Sequence, residues 1–413
     1  MLRLFEILFA FCILTIFVII PSSMYAAETK QNHNPIILVN GFAGWGRDEM
    51  LGIKYWGGIH DIQENLKQNG YEVYTAAVGP ISSNWDRACE LYAQMNGGTV
   101  DYGEAHAKKH NHKRYGKTYS GFISNWNETK KVHLVGHSMG GQTIRTLVQL
   151  LKEGDPEEQA YAKKRDDSHL SPLFQGEKSY VHSVTTLSTP HNGTTLADGS
   201  LLLPFVKDFL IAAASINGYQ NLSVYDFKLD QWRLKRKEKE SFFQYWNRIQ
   251  NSPIWYHIRD SSQWDLSTQG AKELNGWVKT QPDVYYFSYS GQATQAGLIT
   301  GVHYPHITMN KVLMGNAFFL GSYVQFEQNR TVIDASWWQN DGVVNTNSMA
   351  GPSIDEILYP PTLPTIGKWN HVETKENWDH LDMIGLSVSD SLGISNIYSF
   401  YQQIAEKVAS LPN

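Results

Sequence analysis

Cysteine is nearly absent: Cys12 and Cys89 are the only two in the chain. Cys12 lies in an N-terminal apolar run, so removal of that run leaves Cys89 alone and excludes an internal disulfide. Stability must then come from core packing, with bound metals as one further source. Charge of one sign is lacking as well. A formal net charge of -5 over 413 residues gives no electrostatic reason to expect a nucleic acid partner. Internal repeats and low-complexity tracts are missing. Beyond the N-terminus, no apolar run is long enough to cross a bilayer.

The N-terminus itself reads as a secretion signal. Arg3 supplies the charge, Ile7 to Ile20 holds no charged residue, and Pro21 to Ala27 is small and polar, ending in Tyr25-Ala26-Ala27. The apolar run is short for a membrane anchor, so residues 1–27 are expected to be cleaved and the protein to act outside the cell. Arg3 and Glu6 leave together, and the charge stays at -5. Residues 28–413 suffice for one large core with insertions or for two domains, and a single domain is the expectation. The 13 Trp, 22 Tyr and 17 Phe suit an apolar substrate and a large core equally.

Strand-like runs at Pro35–Asn40, Tyr71–Val78, Val132–Gly136, Val181–Ser188 and Val284–Ser288 alternate with helical stretches. Alternation of this kind predicts a parallel α/β sheet. Two regions interrupt it. Residues 80–126, rich in Trp, Gly, His and Tyr, read as an ordered insertion. Residues 197–265 hold the apolar stretch Leu201 to Ala214, which fits a lid helix or a core helix, and the charged run Arg233 to Glu240, which fits a solvated face.

Gly136-His137-Ser138-Met139-Gly140 carries the most chemistry. An apolar strand-length run, Lys131 to Val135, precedes it, and Ile144, Leu147, Val148 and Leu151 follow at helical spacing. Strand, G-x-S-x-G and helix together predict a sharp turn that exposes a nucleophilic serine hydroxyl. Glycines flank the serine because the turn is strained and crowded.

Such a serine needs a base and a residue to orient it. Asp341, at a loop tip in Asn340-Asp341-Gly342-Val343-Val344, offers the acid. His380, in Trp378-Asp379-His380-Leu381-Asp382, offers the base. The order serine, acid, histidine is that of the α/β-hydrolases. Asp334 and Asp355 compete as acids, and His371, His303 and His306 as bases. Asn40-Gly41-Phe42 follows the first strand, where a backbone N–H faces the nucleophile. The N–H groups of Phe42 and Met139 are therefore the expected oxyanion donors.

With these residues in place, the chain from about Asn34 onward resembles the secreted bacterial true lipases of the thermoalkalophilic bacillus-type and staphylococcal group. The shared stretches include Gly44-Trp45-Gly46-Arg47, Lys54-Tyr55-Trp56-Gly57-Gly58, Ser82 to Cys89, Gly97 to Gly103, Tyr225 to Trp232 and Asn340-Asp341-Gly342. The resemblance implies an α/β-hydrolase fold, a Ser138–Asp341–His380 triad, a mobile helical lid that takes in Leu201 to Ala214, and triacylglycerol hydrolysis at a lipid–water interface. Two departures stand out. Asn40 occupies a position usually held by His, which should alter loop rigidity more than mechanism. Gly136 and Met139 follow the staphylococcal elbow, where bacillus-type members have Ala and Gln, yet the chain is expected to lack the long staphylococcal propeptide.

By spacing alone, His106, His110 and His112 read as a His-rich surface loop. The resemblance instead implies a zinc site made by Asp86, His106, His112 and Asp260. Two imidazoles and two carboxylates form a closed shell that suits structural Zn²⁺. It also implies a calcium site at Asp379, Asp382 and Asp390. Ser387 stands where a further carboxylate is usual, which should weaken affinity.

Three functions compete: a secreted triacylglycerol lipase, a metallohydrolase using the Asp/His cluster, and a non-catalytic binding protein. Carboxylesterase or phospholipase activity at the same serine is a variant of the first. The complete serine, acid and histidine set favours the lipase.

Overall fold

Consecutive branched apolar residues make a strand buried on both faces, and β1 (Ile36–Val39) is built that way. Ile36 and Leu38 pack into one core cluster and Ile37 and Val39 into the other, so the two cores lie on opposite faces of the sheet. The remaining strands of this sheet are β2 (Val73–Ala76), β3 (Val132–His137), β4 (Val181–Leu187), β5 (Tyr285–Gln292), β6 (Ile357–Leu358) and β7 (Trp369–Glu376). Their order is β6-β7-β5-β4-β3-β1-β2, and every neighbouring pair is parallel. The computed structural model describes residues 30–164, 169–215, 225–255, 258–359, 363–386 and 394–413. The expected signal peptide, Ser387 and Asp390 lie outside the described residues.

All five expected strands form, with ends shifted by a few residues. β6, only Ile357-Leu358, is too short to show a period, and β7 carries little apolar signal. β7 reads Trp-Asn-His-Val-Glu-Thr-Lys-Glu, and only its first three residues are buried. Within the expected insertion, the helix Asn84–Asn96 escaped notice because its buried positions include Asp86, Arg87, Glu90 and Gln94, which hide any apolar period. After it come an antiparallel ribbon, Gly98–Asp101 with Tyr115–Tyr119, and the short helix Glu104–His110. Cys89 is buried, and burial raises its thiol pKa.

The apolar stretch forms the helix Leu202–Ser215. The charged run is a loop tied to the next helix, Phe242–Gln250, through an Arg248–Glu240 ion pair of 2.7 Å. β1 has β2 on one side and β3 on the other, so the chain changes its direction of winding there. In parallel sheets such a switch point opens a crevice at the C-terminal strand ends, where ligands bind.

Candidate active site and metal site

Val39 pairs with Gly136 across that switch point, so Asn40-Gly41-Phe42 and Ser138 emerge side by side. Ser138 has φ 55° and ψ -131°, a backbone that a side chain tolerates only when its surroundings impose it. Those surroundings are present. The Ser138 N–H donates to the Leu187 carbonyl at 2.8 Å, and its carbonyl accepts from the Thr189 hydroxyl at 2.9 Å. A Cβ on Gly136 would sit 2.6 Å from the Gly140 carbonyl carbon, and one on Gly140 would sit 2.4 Å from the Val39 oxygen. Both glycines are required by space.

His380 follows β7 and turns back onto the loop after Asn340. Its Nδ1 lies 2.7 Å from Asp341 Oδ2, and its N–H donates to the Asp341 carbonyl at 2.9 Å. Asp341 Oδ1 accepts from the N–H groups of Val343 (3.0 Å) and Val344 (2.8 Å). With its carboxylate fixed as an acceptor, the proton of neutral His380 belongs on Nδ1 and the lone pair on Nε2. Ser138 and His380 line one cavity with Phe42, Leu202, Phe205 and Phe209. Its volume is about 10 Å³, the space of roughly one water. The helix Leu202–Ser215 thus roofs the serine.

The rivals lie elsewhere. Asp334 caps the turn at Ser336, and Asp355 accepts from the Thr280 hydroxyl. His371 is spent on Ser288 and Thr374, and burial lowers its pKa to about 4. His303 lies on the Thr294 hydroxyl and His306 on that of Thr308.

Among the described residues, neither Phe42 N–H nor Met139 N–H donates to another protein group. The loop carrying Phe42 is held by Asn40, whose bearing on loop rigidity the sequence suggested, and by Arg87 and Tyr55, whose roles it did not. The Asn40 side chain donates to the Gly41 carbonyl at 3.0 Å and accepts from Val78 N–H at 3.2 Å. Arg87 is fully buried. It donates to the carbonyls of Asn40 and Gly79 and, at 2.8 Å, to the Thr143 hydroxyl. Burial lowers its pKa to about 10. Tyr55 accepts from Gly41 N–H at 2.9 Å and meets His137. Nothing in their spacing marks these roles.

Asp86, the nearby pair His106 and His112, and Asp260 come together from three separate segments, and one ligand atom from each residue lies within 4.8 Å of all the others. His106 Nε2 is 3.2 Å from Asp260 Oδ2 and 3.6 Å from Asp86 Oδ1. His112 Nε2 is 3.3 Å and 3.9 Å from the same two oxygens. A tetrahedral ion with bonds of about 2.0–2.1 Å spaces its ligands about 3.3 Å apart, so the group can hold a metal ion. Two of its atoms call for one: Asp86 Oδ1 and His112 Nε2 are buried without a hydrogen-bond partner. His112 Nδ1 lies 2.8 Å from the Lys113 carbonyl, which fixes its proton there and turns the Nε2 lone pair inward. Burial opposes a charge on His106, but Asp260 and Asp86 outweigh it and raise its pKa to about 10. His110 packs 4.5 Å from the His106 ring and stays outside the set.

Asp379 and Asp382 flank His380. Asp379 accepts from the N–H groups of Asn310 (2.7 Å), Leu381 (2.8 Å) and Asp382 (3.1 Å). Asp382 accepts from Asp379 N–H at 2.8 Å. The two carboxylates shape the His380 turn. Burial raises the Asp379 pKa to about 6.

Comparison with known proteins places this arrangement. The chain is 50% identical to lipase 1 from Pelosinus fermentans, with a TM-score of 0.84 over 92% of this chain and 100% of that one. It is 46% identical to EstA from Clostridium botulinum, with a TM-score of 0.87 over 94% of this chain and 89% of that one. A lipase from Staphylococcus epidermidis is 40% identical over 372 residues, which cover 89% of this chain and 52% of the relative. The chain thus spans about half the length of the curated relatives it matches. The family described as lipase-like, C-terminal domain, matches residues 32–411; this chain, with its parallel α/β-hydrolase-type sheet, belongs to it.

Proposed function

We propose that the protein is a secreted triacylglycerol lipase, with residues 1–27 as its signal peptide and residues 28–413 as one catalytic domain. The observation that carries this reading is the 2.7 Å contact of His380 Nδ1 with Asp341 Oδ2 in the same cavity as the strained Ser138. Ser138 Oγ attacks the ester carbonyl carbon while His380 Nε2 takes the hydroxyl proton. Asp341 holds the imidazole and stabilises its positive charge. The N–H groups of Phe42 and Met139 receive the oxyanion. When the carbonyl re-forms, the bond to glycerol breaks and His380 returns the proton to the leaving oxygen. Water, activated by the same histidine, then frees the fatty acid from the serine.

The closed cavity supports a lid role for the helix Leu202–Ser215, within an insertion of residues 197–265. Leu202, Phe205 and Phe209 must draw back before an ester reaches Ser138. Residues 80–126 form the second insertion. Asp86, His106, His112 and Asp260 would hold Zn²⁺, whose closed shell gives it a structural role in pinning this insertion to the loop at Asp260. Asp379 and Asp382, with Asp390, are hard oxygen donors that suit Ca²⁺, which would brace the His380 turn.

The test is hydrolysis of p-nitrophenyl butyrate, p-nitrophenyl palmitate and emulsified triolein by the mature protein, with Ser138→Ala alongside. The lipase reading expects activity on all three that the variant loses. Butyrate turnover alone makes the protein a carboxylesterase, and turnover retained by Ser138→Ala removes the serine mechanism.

A further inference from the structure

The chain leaves β5 at the edge of the sheet where Ser138, Asp341 and His380 gather. It rises there as an antiparallel ribbon, Thr294–Ala296 with His303–Pro305. Ala293 N–H donates to the Asn340 carbonyl at 3.0 Å, beside Asp341, which fixes the base of the ribbon to the active-site loop. Its tip is closed by Gly297 N–H on the Val302 carbonyl (2.8 Å) and Gly301 N–H on the Gly297 carbonyl (3.0 Å). The tip presents Leu298 and Ile299, which are 105% and 98% exposed, and Ile307 behind it is 87% exposed. Two adjacent branched aliphatic side chains held out by a hydrogen-bonded turn bury nothing in the folded chain.

The neighbouring helix Met314–Leu320 joins this ribbon to the roof of the site. Phe318 meets Tyr304 of the ribbon at 5.8 Å between ring centroids. Phe319 packs so closely on Gly199 that a Cβ there would lie 2.3 Å from its ring, just before the helix Leu202–Ser215. One helix thus touches both the ribbon and the turn that leads into the roof. The segment is also short of negative charge. From Val284 to Phe326 the chain carries no Asp or Glu and a single Lys, Lys311, although the whole protein is net acidic.

We propose that the Leu298–Ile299 tip is an anchor that inserts into the surface of an acylglycerol droplet and sets the active-site edge against it. The inference rests on the lipase reading and extends it to how the enzyme meets its substrate. A triacylglycerol does not dissolve, so apolar area facing the droplet contributes to adsorption in proportion to what it buries. The droplet also accumulates fatty acid carboxylates as the reaction proceeds. A segment free of Asp and Glu avoids repulsion from them, and Lys311 is attracted.

The experiment measures adsorption to triolein emulsion in the Ser138→Ala background, so that no substrate is consumed. Leu298→Ser/Ile299→Ser is expected to adsorb at least about tenfold more weakly, the loss from two aliphatic groups that no longer reach an apolar phase. In the background with Ser138 intact, the same pair should leave p-nitrophenyl butyrate turnover and thermal stability unchanged, since both side chains touch only solvent. Leu298→Trp should adsorb at least as well as the parent, because indole favours the interface. Unchanged adsorption of the double Ser variant overturns the proposal. So does concentration-dependent self-association that the double variant abolishes, which would make a second copy the occupant. Failure of the lipase reading shows separately, as absent ester turnover by the protein with Ser138 intact.

Discussion

The hydroxyl of Tyr55 lies 2.7 Å from Nδ1 of His137. His137 Nε2 is 3.0 Å from the His380 carbonyl, which can only accept, so that nitrogen carries the proton and Nδ1 is bare. Tyr55 must then donate to Nδ1, leaving its lone pair for Gly41 N–H. Burial, and after it the neighbouring His380, lowers the His137 pKa well below its ordinary value and keeps the ring neutral. One chain of hydrogen bonds thus joins the oxyanion loop, the elbow and the backbone of the base. Tyr55→Phe leaves Gly41 N–H and His137 Nδ1 unpaired, a cost of about 1–3 kcal/mol for each group in a buried setting. We expect kcat on p-nitrophenyl butyrate to fall about tenfold, with KM nearly constant and the folded state retained by circular dichroism. Wild-type kcat would remove the positioning role.

Asp341 imposes a tautomer. Because Val343 and Val344 donate to Oδ1, an Asn at this position would place its carbonyl there and its NH₂ toward His380. That group donates, so Nδ1 would lose its proton and Nε2 would gain one at the nitrogen facing the serine. Asp341→Asn is therefore expected to lower kcat by about 10⁴-fold while leaving structure and substrate affinity close to wild type. Steady-state kinetics together with a melting curve check both halves.

The proposed serine, base and acid were legible because each sits in a local pattern: strand, elbow and helix for Ser138, a loop tip for Asp341, a polar turn for His380. The proposed oxyanion donors, Phe42 and Met139, followed from chain order. Tyr55, His137 and Arg87 could not be assigned in the same way. Their work is defined by the carbonyls and N–H groups that they reach across the fold, and a buried Arg has the same letter as a solvated one. The candidate metal ligands sit between these cases. His106 and His112 looked like a surface loop until Asp86 and Asp260, far apart in sequence, were brought to them. β7 was missed for the opposite reason, since a strand with most of its side chains half-exposed carries little apolar signal.

Removing the metal should cost stability before it costs chemistry. At free metal about a hundredfold above Kd, binding to the folded state alone contributes about 2.7 kcal/mol, which for a chain of this size corresponds to a Tm lower by roughly 3 °C once a chelator is added. Without an ion, Asp86 Oδ1 and His112 Nε2 are left buried and unpaired. Ester turnover assayed promptly at 25 °C should persist. Calorimetry and initial rates on the same chelated sample separate the two effects, and an immediate loss of turnover in a fully folded sample would favour the metallohydrolase.

Glu90 makes the stability of the same helix depend on pH. It is buried, with Oε2 accepting from Gly79 N–H at 2.5 Å and Oε1 from the Tyr102 hydroxyl at 3.1 Å. Burial raises its pKa to about 7, with Asp86 adding to the rise. The unfolded value is about 4.3. Between these two values the native state holds a proton that the unfolded state has released. Stability therefore falls as pH rises through that window and stays reduced above it. The loss is about 4 kcal/mol at most, and less with a cation beside Asp86. Gln fills the same space, accepts from Gly79 through its oxygen and does not titrate. Glu90→Gln should accordingly flatten the decline, melting closer to wild type at pH 5 and above it at pH 8.5. Urea titrations at the two pH values decide it, and an equal gap at both would place the pH dependence elsewhere.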